Sequence, residues 1–231
     1  MNGKYYLFLL AVCGLSPILA DQPWKDRPVP EWTESDARQI LSDSPWTKSV
    51  TAKVNRQSNN RQGSRSGIGI GGIGIPRIGG RGGGMGRGSP PPPPPESGAP
   101  STFTLRWESA LPVQEAHLKI HDEGAPSVDE GYYTVAVLGL PRGIAGADPK
   151  DLEGRLKHQA ELKREGRKTI RSVDARVLPR DDGVVVLFLF PRSEEITRSD
   201  KRIEFEARIG AYELAQSFEL TEMMYDARLE L

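Results

Sequence analysis

The chain has three histidines among 231 residues. His117 and His121 stand four apart in a stretch of helical periodicity. That spacing puts both on one helix face, where they could share a metal ion with Asp122 as a third donor. In zinc-peptidase helices a glutamate follows the first histidine directly; here that position is Leu118, and His158 lies in a separate element. The expectation is therefore no metal, with His117 packed on the apolar side of its helix. Nucleophilic chemistry has less to draw on. Cys13 is the single cysteine, and no Gly-x-Ser-x-Gly elbow is present. The acid pairs Asp181-Asp182 and Glu194-Glu195 fall in turn-like sequence, where solvation accounts for them. The residues predict no catalytic site, no cofactor and a non-enzymatic protein. A hydrolase with an unrecognised site is the alternative, and a deep polar pocket holding a histidine and a carboxylate would favour it.

Two glycine-rich patterns invite a ligand. Gly67-Ile68-Gly69-Ile70-Gly71-Gly72 spells G-x-G-x-x-G. That loop binds a dinucleotide only when a strand delivers it and a helix N-terminus receives the pyrophosphate. Neither flank is present, and 13 glycines between Gly63 and Gly88 produce the match by composition. Arg81-Gly82-Gly83 and Gly86-Arg87-Gly88 have the form of an RNA-binding arginine–glycine tract. No aromatic residue lies between Val54 and Phe103 to supply stacking, and export removes the RNA. No nucleic acid is expected. Arg77, Arg81 and Arg87 are read instead as contacts to an anionic envelope surface.

The zero net charge hides an asymmetry. From Lys48 to Arg87 there are eight basic residues and no acidic one, whereas Ser101–Leu231 carries 19 basic against 24 acidic. The N-terminus reads as a secretory signal over residues 1–20: Lys4, then an apolar run from Tyr5 to Leu19, then Ala20 before Asp21. Gly14 and Pro17 interrupt the run, which is short for a membrane span. Cleavage would leave no stable membrane span, remove Cys13 and place the chain in the periplasm or outside the cell. An uncleaved N-terminus would make it a membrane-anchored envelope tether.

Residues 21–54 form a short, tryptophan-rich segment. Thr33 is a good N-cap for a helix from about Glu34 to Leu41, and Ser44-Pro45 looks like a second helix start reaching Val50. A pair of helices this short is unstable alone in water, so it docks either on the C-terminal domain or on something else. Trp24, Trp32 and Trp46 are read as partner-docking residues, because aromatic anchors dominate interfaces. Residues 55–101 read as a disordered basic Gly-rich and poly-Pro linker with too few large apolar side chains to order. Its six prolines Pro90–Pro95 would make a stiff rod of about 19 Å.

The folding unit is residues 102–231, about 130 residues, enough for a core without disulfides. Strand periodicity marks Thr102–Glu108, Gly131–Leu140, Lys168–Leu178, Arg202–Ile209 and Tyr212–Leu220. Val184–Phe190 is continuously apolar, as a strand covered on both faces should be. Helices are expected over Leu111–His121 and from Pro149 to about Glu165, the latter capped by Asp148. The fold class is α+β: a mainly antiparallel sheet with two helices on one face, preceded by the disordered Gly/Pro-rich spacer.

Two segments carry a resemblance. Pro30-Glu31-Trp32-Thr33-Glu34-Ser35-Asp36-Ala37-Arg38-Gln39-Ile40-Leu41, followed by Ser44-Pro45-Trp46, resembles the opening of a group of exported, uncharacterised bacterial proteins. Phe188-Leu189-Phe190-Pro191-Arg192, with Phe218-Glu219-Leu220, Met223, Tyr225 and Leu229-Glu230-Leu231, is similar to the end of that group. The domain also resembles the proteins named for a G-W-x-T-D motif, with Glu31 in place of the glycine and Asp36 one residue late. The resemblance covers about half the mature chain. It implies export and a shared domain, and no activity. The expected function is an exported accessory protein whose folded domain binds an unknown protein partner in the cell envelope from a flexible basic tether.

Overall fold

The computed structural model describes residues 22, 24–54, 101–146, 148–181 and 183–231. The expected signal segment, with Cys13, lies outside them. So do the 55–100 stretch, its G-x-G-x-x-G run and Arg77, Arg81 and Arg87.

In chain order the elements are α1 (Glu34–Ser42), β1 (Thr47–Thr51), β2 (Lys53–Val54), β3 (Thr102–Trp107), α2 (Leu111–Lys119), β4 (Tyr132–Leu140), α3 (Pro149–Leu156), β5 (Ala160–Arg164), β6 (Ile170–Arg171), β7 (Asp174–Arg180), β8 (Gly183–Pro191), β9 (Arg202–Ile209), β10 (Tyr212–Glu219), β11 (Met224–Tyr225) and β12 (Arg228–Leu229). The α+β class with antiparallel pairing holds. The strands build two five-stranded sheets, in the orders β1-β3-β4-β8-β7 and β2-β10-β9-β5-β6, and β11-β12 form a small hairpin.

The two sheets pack face to face through alternate side chains. Phe188 meets Phe205 at 6.0 Å between ring centroids, Trp107 meets Phe218 at 5.8 Å, and Phe103 meets Tyr212 at 5.0 Å. Edge-on and tilted ring pairs of this kind add to the burial of their area. β8 is buried along nearly its whole length. Its inward residues face the second sheet, while Val185, Leu187 and Leu189 form a separate apolar cluster with Ala136 on the outer face. A bulge between Val137 and Leu140 shifts the β4–β8 register. Gly139 sits there at φ +83°, and a side chain on Gly183 would lie 2.5 Å from the Leu140 carbonyl, so both positions need glycine.

Both sides of the sandwich are crossed by chain that leaves one sheet and joins the other. β1 pairs with β3 and, one residue later, β2 pairs with β10. On the far side, β6 pairs with β5 and β7 with β8. Corners made this way leave little open sheet edge.

Three local expectations are corrected. The stretch after Ser44 is a strand. The Ser44 and Thr47 hydroxyls both donate to the Ile40 carbonyl, at 2.7 and 3.0 Å, which closes α1. Thr47, Val50 and Thr51 then favour extended backbone. The helix expected to reach Glu165 ends at Leu156, and Ala160, Leu162 and Arg164 alternate inward as β5. Helix-forming Glu and Lys on its outer face hide that strand from periodicity. The Lys168–Leu178 stretch divides into β6 and β7 as the chain crosses between sheets.

Residues 22–54 belong to the same body as residues 101–231. They supply one edge of each sheet and, through α1, pack on α2.

Candidate functional site

The N-terminal tryptophans come together, but not as a surface. Trp24, Trp32 and Trp46 are at most 2% exposed. Trp24 lies against Trp32 at 6.3 Å and Trp46 at 5.5 Å, and Trp32 packs edge-on to Tyr225 at 5.4 Å. The Trp32 indole donates to the Trp24 and Arg27 carbonyls, both at 3.1 Å. The Tyr225 hydroxyl donates to the Arg27 carbonyl at 3.0 Å. The docking role expected of these three residues is thus met within the chain: a large apolar ring buries where it can, and the groove that receives it is the chain's own.

The strongest polar constellation sits where β3 runs into α2. Arg106 and Glu108 share the strand face opposite the buried Leu105 and Trp107. The Arg106 Nε donates to Glu108 Oε1 at 2.8 Å, and its Nη1 reaches the Leu41 carbonyl at 3.4 Å. Pro112 in the first turn suits the start of α2, and Val113, Ala116 and His117 form its buried side. His117 Nε2 stands 3.0 Å from Glu108 Oε2, and its Nδ1 stands 2.8 Å from Asp122 Oδ2. His121, at φ +52°, reverses the chain after α2 and brings Asp122 back over the helix end.

Glu108 is 1% exposed and His117 5%, so these contacts form in a poorly solvated place. Burial works to raise the Asp122 pKa. The hydrogen bonds from His117 and the Gly124 amide, with the charges of His117 and Arg180, outweigh it and hold the carboxyl below its ordinary 3.8. Arg180 on β7 donates to the Gly124 carbonyl. The network therefore ties α1, β3, α2, the loop after α2 and β7 together. Beside it is a cavity of about 270 Å³ lined by Arg106, Glu108, Asp122, Arg180, Leu138 and Val185.

A histidine with carboxylates beside a cavity is the signature set for a hidden hydrolase, and here its geometry runs the other way. A carboxylate oxygen only accepts, so each of the two short gaps needs one proton on the ring or the acid. With both nitrogens facing carboxylates, His117 has none left for a nucleophile's hydroxyl or for a metal. His121 lies in the turn after α2, and His158 follows α3 with its Nδ1 3.0 Å from the Ser172 carbonyl. Among the described residues no group of three His, Cys, Asp or Glu side chains is placed to hold a metal ion. Sequence reasoning found His117 and Asp122 and missed Glu108. Its signal was the Arg106-x-Glu108 spacing, which puts opposite charges on one face of a strand otherwise chosen for burial.

Among the larger grooves, two are open and of mixed polarity. One, of about 650 Å³, lies between α2 and the β11–β12 hairpin, with Tyr133, Arg192, Arg198 and Arg228 around it. Arg192 is committed: it stacks over Tyr133 at 4.4 Å and donates to the Leu231 carbonyl at 2.7 Å. The other, of about 410 Å³, lies on the outer face of the second sheet, where Lys53 and Arg208 stand with Glu161 and Glu206. Among the described residues no helix is long and apolar enough to cross a membrane.

No protein-family model, curated protein or solved structure matches this chain.

Proposed function

We propose that the protein is an exported, non-enzymatic accessory protein of the cell envelope, in which a rigid sandwich presents the basic segment 55–100 to a protein partner. The supporting observation is where the two ends of that segment are held. Thr51 pairs with Thr102, the Ala52 amide donates to the Ser101 carbonyl at 2.9 Å, and Val54 pairs with Tyr212. The segment leaves and re-enters at one corner of the fold. It is an insertion between β2 and β3, with both ends held on the same sandwich.

This placement moves the contact from the tryptophans to the insertion. Six arginines and one glutamate lie between positions 55 and 100, which favours an acidic partner surface. The same charges favour the anionic envelope surface as a second reading, with Arg77, Arg81 and Arg87 as contacts. Export and cleavage after residue 20 belong to the proposal and rest on the signal-like N-terminus.

The test is affinity capture from envelope extracts using the full chain and a chain in which residues 57–98 are replaced by a short Gly-Ser turn. The reading predicts a protein partner retained by the first and lost by the second, with both chains folded. Equal capture by both would overturn it. Retention of the full chain on phosphatidylglycerol vesicles, without a protein partner, would favour the surface reading.

A further inference from the structure

Residues 22–54 touch the rest of the protein as a ligand touches its receptor. β1 adds to the edge of β3 over five register pairs, from Thr47 opposite Arg106 to Thr51 opposite Thr102. The Trp107 amide extends this ladder by donating to the Trp46 carbonyl at 3.0 Å. The Trp46 indole donates to the Glu230 carbonyl at 2.8 Å, and the Trp32 ring meets Tyr225 while the Tyr225 hydroxyl holds the Arg27 carbonyl. Strand addition supplies main-chain hydrogen bonds, and anchored side chains supply selectivity.

The segment is also organised within itself. Thr33 and Asp36 form a reciprocal cap at the start of α1, Arg27 pairs with Asp36 at 3.0 Å, and the three indoles cluster. Such internal order lowers the cost of docking. Three buried indoles remove up to about 450–750 Å² from water, part of it against one another; a standard stable interface buries about 800 Å² per side. Strand β1 and the buried face of α1 add to this.

We infer that residues 101–231 form a strand-accepting groove whose occupant is segment 22–54, held by non-covalent contacts strong enough that the connection through residues 55–100 is dispensable. Cutting that connection leaves a two-chain protein of the same fold. The arginines at 56, 61, 65, 77, 81 and 87 each precede a residue other than proline, so a trypsin-like protease finds six cleavable bonds there. This inference stands apart from the partner proposed above and concerns the chain alone.

The experiment takes the full chain, treats it briefly with trypsin, and compares a denaturing gel with native size-exclusion chromatography and tryptophan emission. A second form, residues 1–60 and 88–231 co-expressed as separate chains, removes any dependence on the protease. The expected result is two pieces on the denaturing gel, one co-eluting species under native conditions, and tryptophan emission as blue as that of the intact chain. Trp46→Ala in the split form should weaken retention by more than about 100-fold, from the cost of emptying a buried aromatic site. Loss of the short piece in the first native step, or an insoluble long piece beside a soluble intact chain, would overturn the inference.

Discussion

The indole of Trp46 donates to the carbonyl of Glu230 at 2.8 Å, joining positions 184 residues apart. This bond closes the fold: it links the segment before the basic insertion to the last strand hairpin. Trp46 is fully buried. Trp46→Ala should destabilise the whole domain by about 3–5 kcal/mol, read as a lower urea midpoint in a single transition. Trp46→Phe keeps most of the volume but leaves the Glu230 carbonyl without this donor, and should cost about 1–3 kcal/mol. An unchanged midpoint for the alanine variant would mean that the ring lies on a surface after all.

Asp36 sets an acid limit on α1. The Thr33 amide holds its carboxyl below the ordinary 3.8; burial opposes this, and the Thr33 hydroxyl and Arg27 add to the lowering. A carboxyl whose folded pKa is depressed stabilises the fold above its unfolded value and loses that contribution as pH falls through the folded one. Asp36→Asn should therefore unfold more readily than the parent at pH 7, and the gap should shrink steadily below pH 3.8. Thr33→Ala, which removes the cap from the other side, should cost about 1 kcal/mol at neutral pH. Urea midpoints measured from pH 2 to 7 check both.

Glu153 guards a strand edge. From α3, its Oε1 accepts the Val177 amide at 2.8 Å on the outer side of β7, and Val177 is buried. Glu153→Ala leaves that amide without an acceptor, at about 1–3 kcal/mol, and opens an edge suited to pairing with another chain. Light scattering during mild heating should rise sooner for this variant than for Glu153→Gln, whose amide oxygen still accepts.

His117 stands between Glu108 and Asp122 with one ring nitrogen facing each carboxyl. His117→Phe retains the ring volume but strips a partner from a carboxylate that is 1% exposed. It should cost about 1–3 kcal/mol, the cost of one buried hydrogen bond lost, because Glu108 Oε1 keeps Arg106. A double-mutant cycle of His117→Phe with Glu108→Gln, read from urea midpoints, should show a coupling of about 0.5–3 kcal/mol between the two side chains.

Much of the fold is legible where one element explains its own pattern. The alternation of Ile203, Phe205, Ala207 and Ile209 states the inward face of β9, and the Thr33 cap marks the start of α1. What stayed hidden depends on partners distant in sequence. Ser44-Pro45 has the form of a helix start, yet the Ser44 hydroxyl is used to close the helix before it. Ala160–Arg164 is a strand because Phe205 and Ala207 lie beside it, and no local propensity says so. The same holds for the candidate site. Glu108 and His117 are nine residues apart in different elements, and only the packing of α2 on the end of β3 makes them neighbours. The tryptophans read as anchors because their size and spacing fit that role; sequence left open whether the matching groove belonged to the same chain.

The central claim is that residues 22–54 and 101–231 form one cooperative body around the 55–100 insertion, and native-state hydrogen exchange on the full chain tests it most directly. In a single cooperative body the amides of Trp46–Thr51 open with the same free energy as those of Phe205 and Ala207, rising and falling together with denaturant. Fast exchange across Trp46–Thr51, beside full protection of Phe205 and Ala207, would contradict it.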